Sequence, residues 1–225
     1  MAKRRITKRE MKEDKLVTGI TRAYIYIQRH WQYFAVGAVA IIIAVIAVWG
    51  VSQANKRKAE DSYTLLGKAL LDFKLGNFQA SMDSLTYLTE NFKGQKAAKL
   101  GYYYIGYLNF LTGANDVAIE NFEKFLATGA GDDEMRLNAM EGIGVCLMEK
   151  GEAKEAAEKF VETMEKYPNS FKQAELLYYT AEAYKLSGDI EKAKEFYKKL
   201  IDGFGETDVG YDAKLAYQEL ITRGG

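Results

Sequence analysis

The sequence predicts an all-α protein: a single N-terminal transmembrane helix, then an α-solenoid of about four helix pairs, then a C-terminal capping helix. Three observations carry this. Residues 33–51 form an uncharged apolar run, four glycine-marked segments recur at spacings of 37, 38 and 37 residues, and an amphipathic segment closes the chain. The expected division is a basic tail at 1–32, the span at 33–51, a helical linker at 52–61, repeats at 62–207 and the cap at 208–225.

The tail holds nine Lys or Arg against Glu10, Glu13 and Asp14, a net of about +6. The whole chain has 31 basic and 31 acidic residues, so the remainder is acidic by about the same amount. This balance gives no global reason to expect nucleic-acid binding. Leu16, Ile20, Tyr24, Ile27 and Trp31 recur at spacings of three or four, with Lys15, Arg22 and Arg29 elsewhere on the turn. The pattern predicts a helix lying at a membrane surface before the chain turns inward. Residues 1–14 read equally well as a disordered basic tail.

The run YFAVGAVAIIIAVIAVWGV carries no charge and spans roughly 28 Å as a helix, about the thickness of the hydrocarbon core. Trp31 and Tyr33 at one end and Trp49 at the other stand where an aromatic belt belongs. The run is longer than a usual signal-peptide core and lacks a small-x-small cleavage site, so an uncleaved anchor is expected. Lys56, Arg57 and Lys58 follow it, at the interface with the lipid head groups. Basic residues beside a span tend to stay in the cytoplasm, but long domains translocate largely regardless of charge. Keeping nine basics inside outweighs keeping three. The expected topology is an inner-membrane, single-pass protein with a cytoplasmic N-terminus and periplasmic repeats.

The four glycine segments are GNFQAS from Gly76, GANDVA from Gly113, GEAKEA from Gly151 and GDIEKA from Gly188. Apolar helical stretches flank each one, which gives two helices per unit. The second unit carries Tyr102, Ile105, Gly106, Gly113, Ala118 and Phe122; the third carries Met140, Ile143, Gly144, Leu147, Gly151, Ala156, Phe160 and Pro168. The fourth has Leu177, Ala181, Tyr184, Gly188, Ala193 and Tyr197, and a degenerate first has Leu65, Ala69, Gly76, Ser81 and Leu85. Small residues such as Gly106 with Ala118, or Ala181 with Ala193, are expected to let paired backbones approach closely. YPNS at 167–170 marks a turn between units, and acidic residues in DDEMRLNA and ETDVGYDA favour helix starts. Ala213, Ala216, Tyr217, Leu220 and Ile221 share one face of the closing helix, which suits a cap over the last repeat.

In this arrangement the chain resembles the tetratricopeptide repeat (TPR) family, whose pattern these residues follow over 62–207. The basic tail, single span and repeat domain together look like the bacterial ancillary Sec-translocon subunits. That resemblance implies a periplasmic repeat domain held near the exit of the secretion channel.

No phosphate loop, dinucleotide fingerprint, paired-His metal motif or calcium loop is present in the sequence. GAGDDE at Gly129 lacks alternating oxygen ligands and reads as a solvated turn. Cys146 reads as a core thiol, and His30 as an interfacial residue far from it. The expectation is therefore no catalysis, no cofactor, no metal and no small-molecule substrate; the partners are proteins and the lipid bilayer. The family resemblance implies that first-helix residues face a concave groove: Tyr103, Tyr107 and Phe110, then Glu141, Val145 and Met148, then Tyr178, Glu182 and Lys185. The same tyrosines read alternatively as packing between helices. Lys and Asn residues of the carboxylate-binding subtype are not reproduced, which argues against a cytosolic cochaperone. Two functions follow: a membrane-anchored adaptor whose groove binds an exported chain or chaperone, or an accessory subunit of a larger complex held by its span and tail. An outer-membrane scaffold fits less well, because such proteins are anchored through an N-terminal Cys.

Overall fold

The computed structural model describes residues 8–223; the side chains of residues 8–14, 16 and 223 lie outside that description. The expectations for residues 1–7 and for the Leu16 side chain therefore fall outside the described residues. Ten helices and no strand are present among the described residues. The chain divides into two compact units, Met1–Arg57 and Lys58–Gly225.

In the first unit, α1 (Lys8–Arg29) is followed by α2 (Trp31–Lys74), which spans the division between the units. Only His30 separates the two helices. Its N–H donates to the Tyr26 carbonyl at 3.0 Å, and the Phe34 N–H donates to its carbonyl at 3.4 Å. No loop stands where a turn was expected, because residues 23–35 contain neither the Gly nor the Pro that breaks such a ladder. An apolar stretch of α2 is long enough to cross a membrane, and none of it is buried.

The second unit continues with α3 (Phe78–Asn91), α4 (Lys96–Leu111), α5 (Asn115–Ala127), α6 (Asp133–Glu149), α7 (Ala153–Lys166), α8 (Gln173–Leu186), α9 (Ile190–Phe204) and α10 (Asp208–Arg223). From α3 onward each helix packs on its successor, and α4, α6, α8 and α10 also touch in sequence. That second set of contacts makes them the inner row of an all-helical solenoid. Sequence explains the helix starts: Asp132 accepts from the Met135 N–H at 2.8 Å, and the Thr207 hydroxyl accepts from the Gly210 N–H at 3.1 Å.

One hydrogen-bonded turn closes the first helix of every unit. Gly76, Gly113, Gly151 and Gly188 have φ between 72° and 84°, where a Cβ is strained. Their N–H groups donate three residues back at 2.9–3.1 Å, and the following N–H donates five residues back at 2.8–2.9 Å. This is the Schellman closure, and it satisfies two otherwise orphaned carbonyls per helix.

The core runs along the row in three clusters: Leu66, Leu85, Leu88 and Leu108; then Phe122, Phe125 and Ile143; then Phe160, Leu176, Tyr197 and Leu200. The small positions act differently from the sequence expectation. A Cβ on Gly106 would meet the Phe122 ring at 2.8 Å, and one on Gly144 would meet the Phe160 ring at 2.4 Å. Each glycine thus admits the aromatic ring of its partner helix. Ala118 and Ala193 are fully buried.

Candidate functional site

On α4, Tyr103 and Tyr107 lie one turn apart with rings stacked 6.5 Å apart and 2° from parallel. Phe110 follows at 6.4 Å from Tyr107. Glu141 and Val145 hold the matching one-turn spacing on α6. These five side chains line one cavity of about 370 Å³, with Phe122, Asn138, Gly142, Lys172 and Tyr179 completing its wall. Five of the nine groove residues expected from the sequence are therefore brought together.

Lys172 precedes α8 and reaches back to α6, where its Nζ lies 2.5 Å from Glu141 Oε2. The two side chains are 21% and 12% exposed, so the pair is shielded from solvent and ties the turn after α7 to α6. Asn138 Oδ1 is buried without a hydrogen-bond partner. A buried acceptor left so costs about 1–3 kcal/mol, which a partner's N–H would recover. Burial pushes the Tyr103 hydroxyl above the usual tyrosine range, partly offset by a hydrogen bond from Asn138.

The other four expected residues lie outside this cavity. Met148 is half-buried against the C-terminal core cluster. Tyr178, Glu182 and Lys185 gather around Tyr197: Lys185 Nζ lies 2.5 Å from Glu182, and Tyr197 Oη donates to the same carboxylate. Tyr178 and Tyr197 meet edge to face at 6.2 Å. The Tyr197 pKa is raised, first by burial and then by Glu182. Cys146 is fully buried, and its thiol is pushed up to about 11, chiefly by burial with Glu149 adding to it.

Sequence reasoning missed Asn138, Gly142, Phe122, Lys172 and Tyr179 as wall residues. Asn138, Glu141, Gly142 and Val145 share one helical face, a spacing that was available to find the first of them. Lys172 sits in an irregular turn, where periodicity gives no signal.

At the ends of the apolar stretch, Trp31, Tyr33 and Trp49 are all exposed. Lys56 and Arg57 are exposed on α2, whereas Lys58 Nζ lies 5.8 Å from the Phe92 ring centre within the second unit. That contact is a cation–π interaction internal to the protein.

Residues 138–170 and 175–207 match the tetratricopeptide repeat family. No curated protein matches the chain. Among solved structures, a tetratricopeptide repeat protein from Parabacteroides merdae superposes with a TM-score of 0.62 at 13% identity, over 73% of this chain and 61% of that one. The chain thus spans less than two thirds of that relative. MamA from Desulfovibrio magneticus RS-1 gives 0.54 at 17% identity, covering 73% and 94%. The nearly identical TPR-like repeats of a Podosopora anserina kinesin light chain give 0.55 at 15%, covering 73% and 93%. At such identities the likeness shows the fold. Sequence match over those two segments, superposition and the helix order among the described residues agree on an all-helical, TPR-like solenoid.

Proposed function

We propose that the chain is a non-enzymatic adaptor anchored in the bacterial inner membrane, with its repeats on the periplasmic side and a partner segment bound in the groove between α4, α6 and the start of α8. The observation that carries the reading is the cavity walled by Tyr103, Tyr107, Phe110 and Val145. Aromatic side chains that converge on a pocket are the usual anchors of protein recognition. Anchoring is supported by the exposed apolar side chains of α2, from Val36 to Val51, whose removal from water into a bilayer is strongly favourable. The likeness to ancillary Sec-translocon subunits suggests newly exported chains or their chaperones as partners.

Site-specific photocrosslinking in intact cells tests the reading. A crosslinker at Tyr107 is expected to capture envelope proteins, while one at the exposed Glu158 of α7 captures few. Adducts at residues 33–51 with none at Tyr107 would favour the accessory-subunit reading instead. Protease added to spheroplasts is expected to cleave the repeats; full protection would reverse the topology.

A further inference from the structure

Lys58 opens the second unit seven residues after Val51, the end of the apolar run, a reach of about 10 Å as a helix and no more than about 25 Å fully extended. Its Nζ lies 5.8 Å from the ring centre of Phe92, in the turn between α3 and α4. That contact crosses 34 residues of sequence and sets the α3–α4 turn beside the start of the unit. The turn is basic and aromatic at its surface. Lys93 and Lys96 are exposed, Lys99 is half-buried in the first turn of α4, and the exposed Tyr87 meets Phe92 edge to face at 6.3 Å. Lys56 and Arg57 directly precede Lys58 on α2, and these six cations against Glu60, Asp61 and Glu90 leave the two segments basic by three. None of the six makes an ion pair among the described residues. Later turns between repeats hold their cations internally: Arg136 lies 2.8 Å from Asp133, Lys172 2.5 Å from Glu141 and Lys214 3.5 Å from Glu206. The last of these turns, between α9 and α10, is acidic, with Glu206, Asp208 and Asp212 exposed.

We infer that the α3–α4 turn is a second membrane contact of this chain, in which Lys58, Lys93 and Lys96 meet the phosphates of anionic lipid head groups while the Tyr87 ring enters the interface. This rests on the anchoring reading above and adds a lipid class and a place on the repeats. Three features select an anionic bilayer as the occupant. Continuity with the span holds Lys58 within that short reach of the head groups, and the Phe92 contact brings the turn with it. Lysines without an internal carboxylate give up no ion pair on meeting a phosphate, and each adds to the attraction of an anionic surface. An exposed tyrosine among them suits the interface, where its ring is covered and its hydroxyl stays wet. The acidic α9–α10 turn is repelled by the same surface, which confines the contact to the first repeat.

The test places the full chain in phosphatidylcholine nanodiscs, with or without about 30% phosphatidylglycerol. A fluorophore is attached at Asn91→Cys or, in a second protein, at Glu158→Cys; both positions are exposed, and the buried Cys146 takes no label. A nitroxide on the lipid head groups quenches a fluorophore that approaches them. The Asn91 label is expected to be quenched more in anionic than in neutral discs, and the Glu158 label equally little in both. Salt at about 0.5 M is expected to return the Asn91 signal to its neutral-disc level, with the wild-type residues in place. The double variant Lys93→Glu, Lys96→Glu, checked for fold by circular dichroism, is expected to do the same. Each basic residue near an anionic surface multiplies the contact population about fivefold, so the variant's loss is expected to exceed about tenfold. Equal quenching of the Asn91 label in the two discs, quenching that salt and the variant leave unchanged, or the same rise at Glu158, overturns the lipid contact. Brominated acyl chains read the anchor separately, through the fluorescence of Trp31 and Trp49. Quenching there with no anionic effect at Asn91 overturns the lipid contact and leaves the anchoring reading standing; no quenching of either tryptophan overturns both.

Discussion

Gly144→Ala probes how tightly the solenoid is packed. An added Cβ would stand 2.4 Å from Phe160 Cε1 and 2.7 Å from its Cζ. Ordinary contact begins near 3.4 Å, so the ring must retreat by about 1 Å. It has little room: Phe160 is fully buried and stacked 5.5 Å from Tyr179, with Ala156, Ala157 and Leu176 in the same cluster. Overpacking of this kind costs about 1–3 kcal/mol, while replacing a helical glycine returns about 1 kcal/mol of propensity. A net loss of up to about 2 kcal/mol is expected. Gly67→Ala is the control, because nothing lies within 4 Å of its Cβ, and it is expected to gain about 0.5–1 kcal/mol. Thermal unfolding of the full chain in one detergent, followed by circular dichroism, separates them, since each kcal/mol moves Tm by about 2–4 °C at this size. A Gly144→Ala protein melting at or above the wild type would refute the claim that Phe160 is pinned against α6.

Three further outcomes follow from the same geometry. Cys146, buried with its thiol near 11, is expected to resist a maleimide at neutral pH and to react once the solenoid is unfolded, as mass spectrometry reads directly. The phenols of Tyr103, Tyr178, Tyr179 and Tyr197 are all raised, so the fold favours their neutral form. Their contribution is complete below the ordinary tyrosine value near 10 and is lost as pH rises above it, and Tyr197→Phe is expected to flatten that alkaline fall in Tm. Lys172→Ala leaves Glu141 shielded and unpaired and is expected to cost about 1–3 kcal/mol, whereas adding Glu141→Gln recovers part of the loss in the same melting assay.

The solenoid was legible because it repeats. Gly76, Gly113, Gly151 and Gly188 mark a turn that needs positive φ, and four copies in register placed every helix pair from the sequence. What the small residues do was not legible in the same way. Gly106 and Ala118 both read as small, but only the packed structure shows that the space over Gly106 belongs to Phe122. The groove was half readable. Tyr103, Tyr107, Phe110, Glu141 and Val145 converge because helical spacing carries them to one face, whereas Met148 turns toward the core cluster. Lys172 escaped notice because its reach to Glu141 crosses 31 residues of chain, and no local pattern encodes such a contact. The helical run through His30 was legible only in retrospect, from a lack of breakers.

Phe122 has a neighbour on each side: a Cβ on Gly106 of α4 would touch its ring at 2.8 Å, and one on Gly142 of α6 would touch it at 2.9 Å. The ring therefore belongs to two sequence repeats at once. A fragment cut after α5 would contain a complete second repeat by sequence yet lose one wall of one of its largest buried side chains. The boundaries at which this chain can be shortened without loss of packing are offset by one helix from the boundaries at which its sequence repeats. A shortened form that ends after α6 keeps the Phe122 ring covered on both sides.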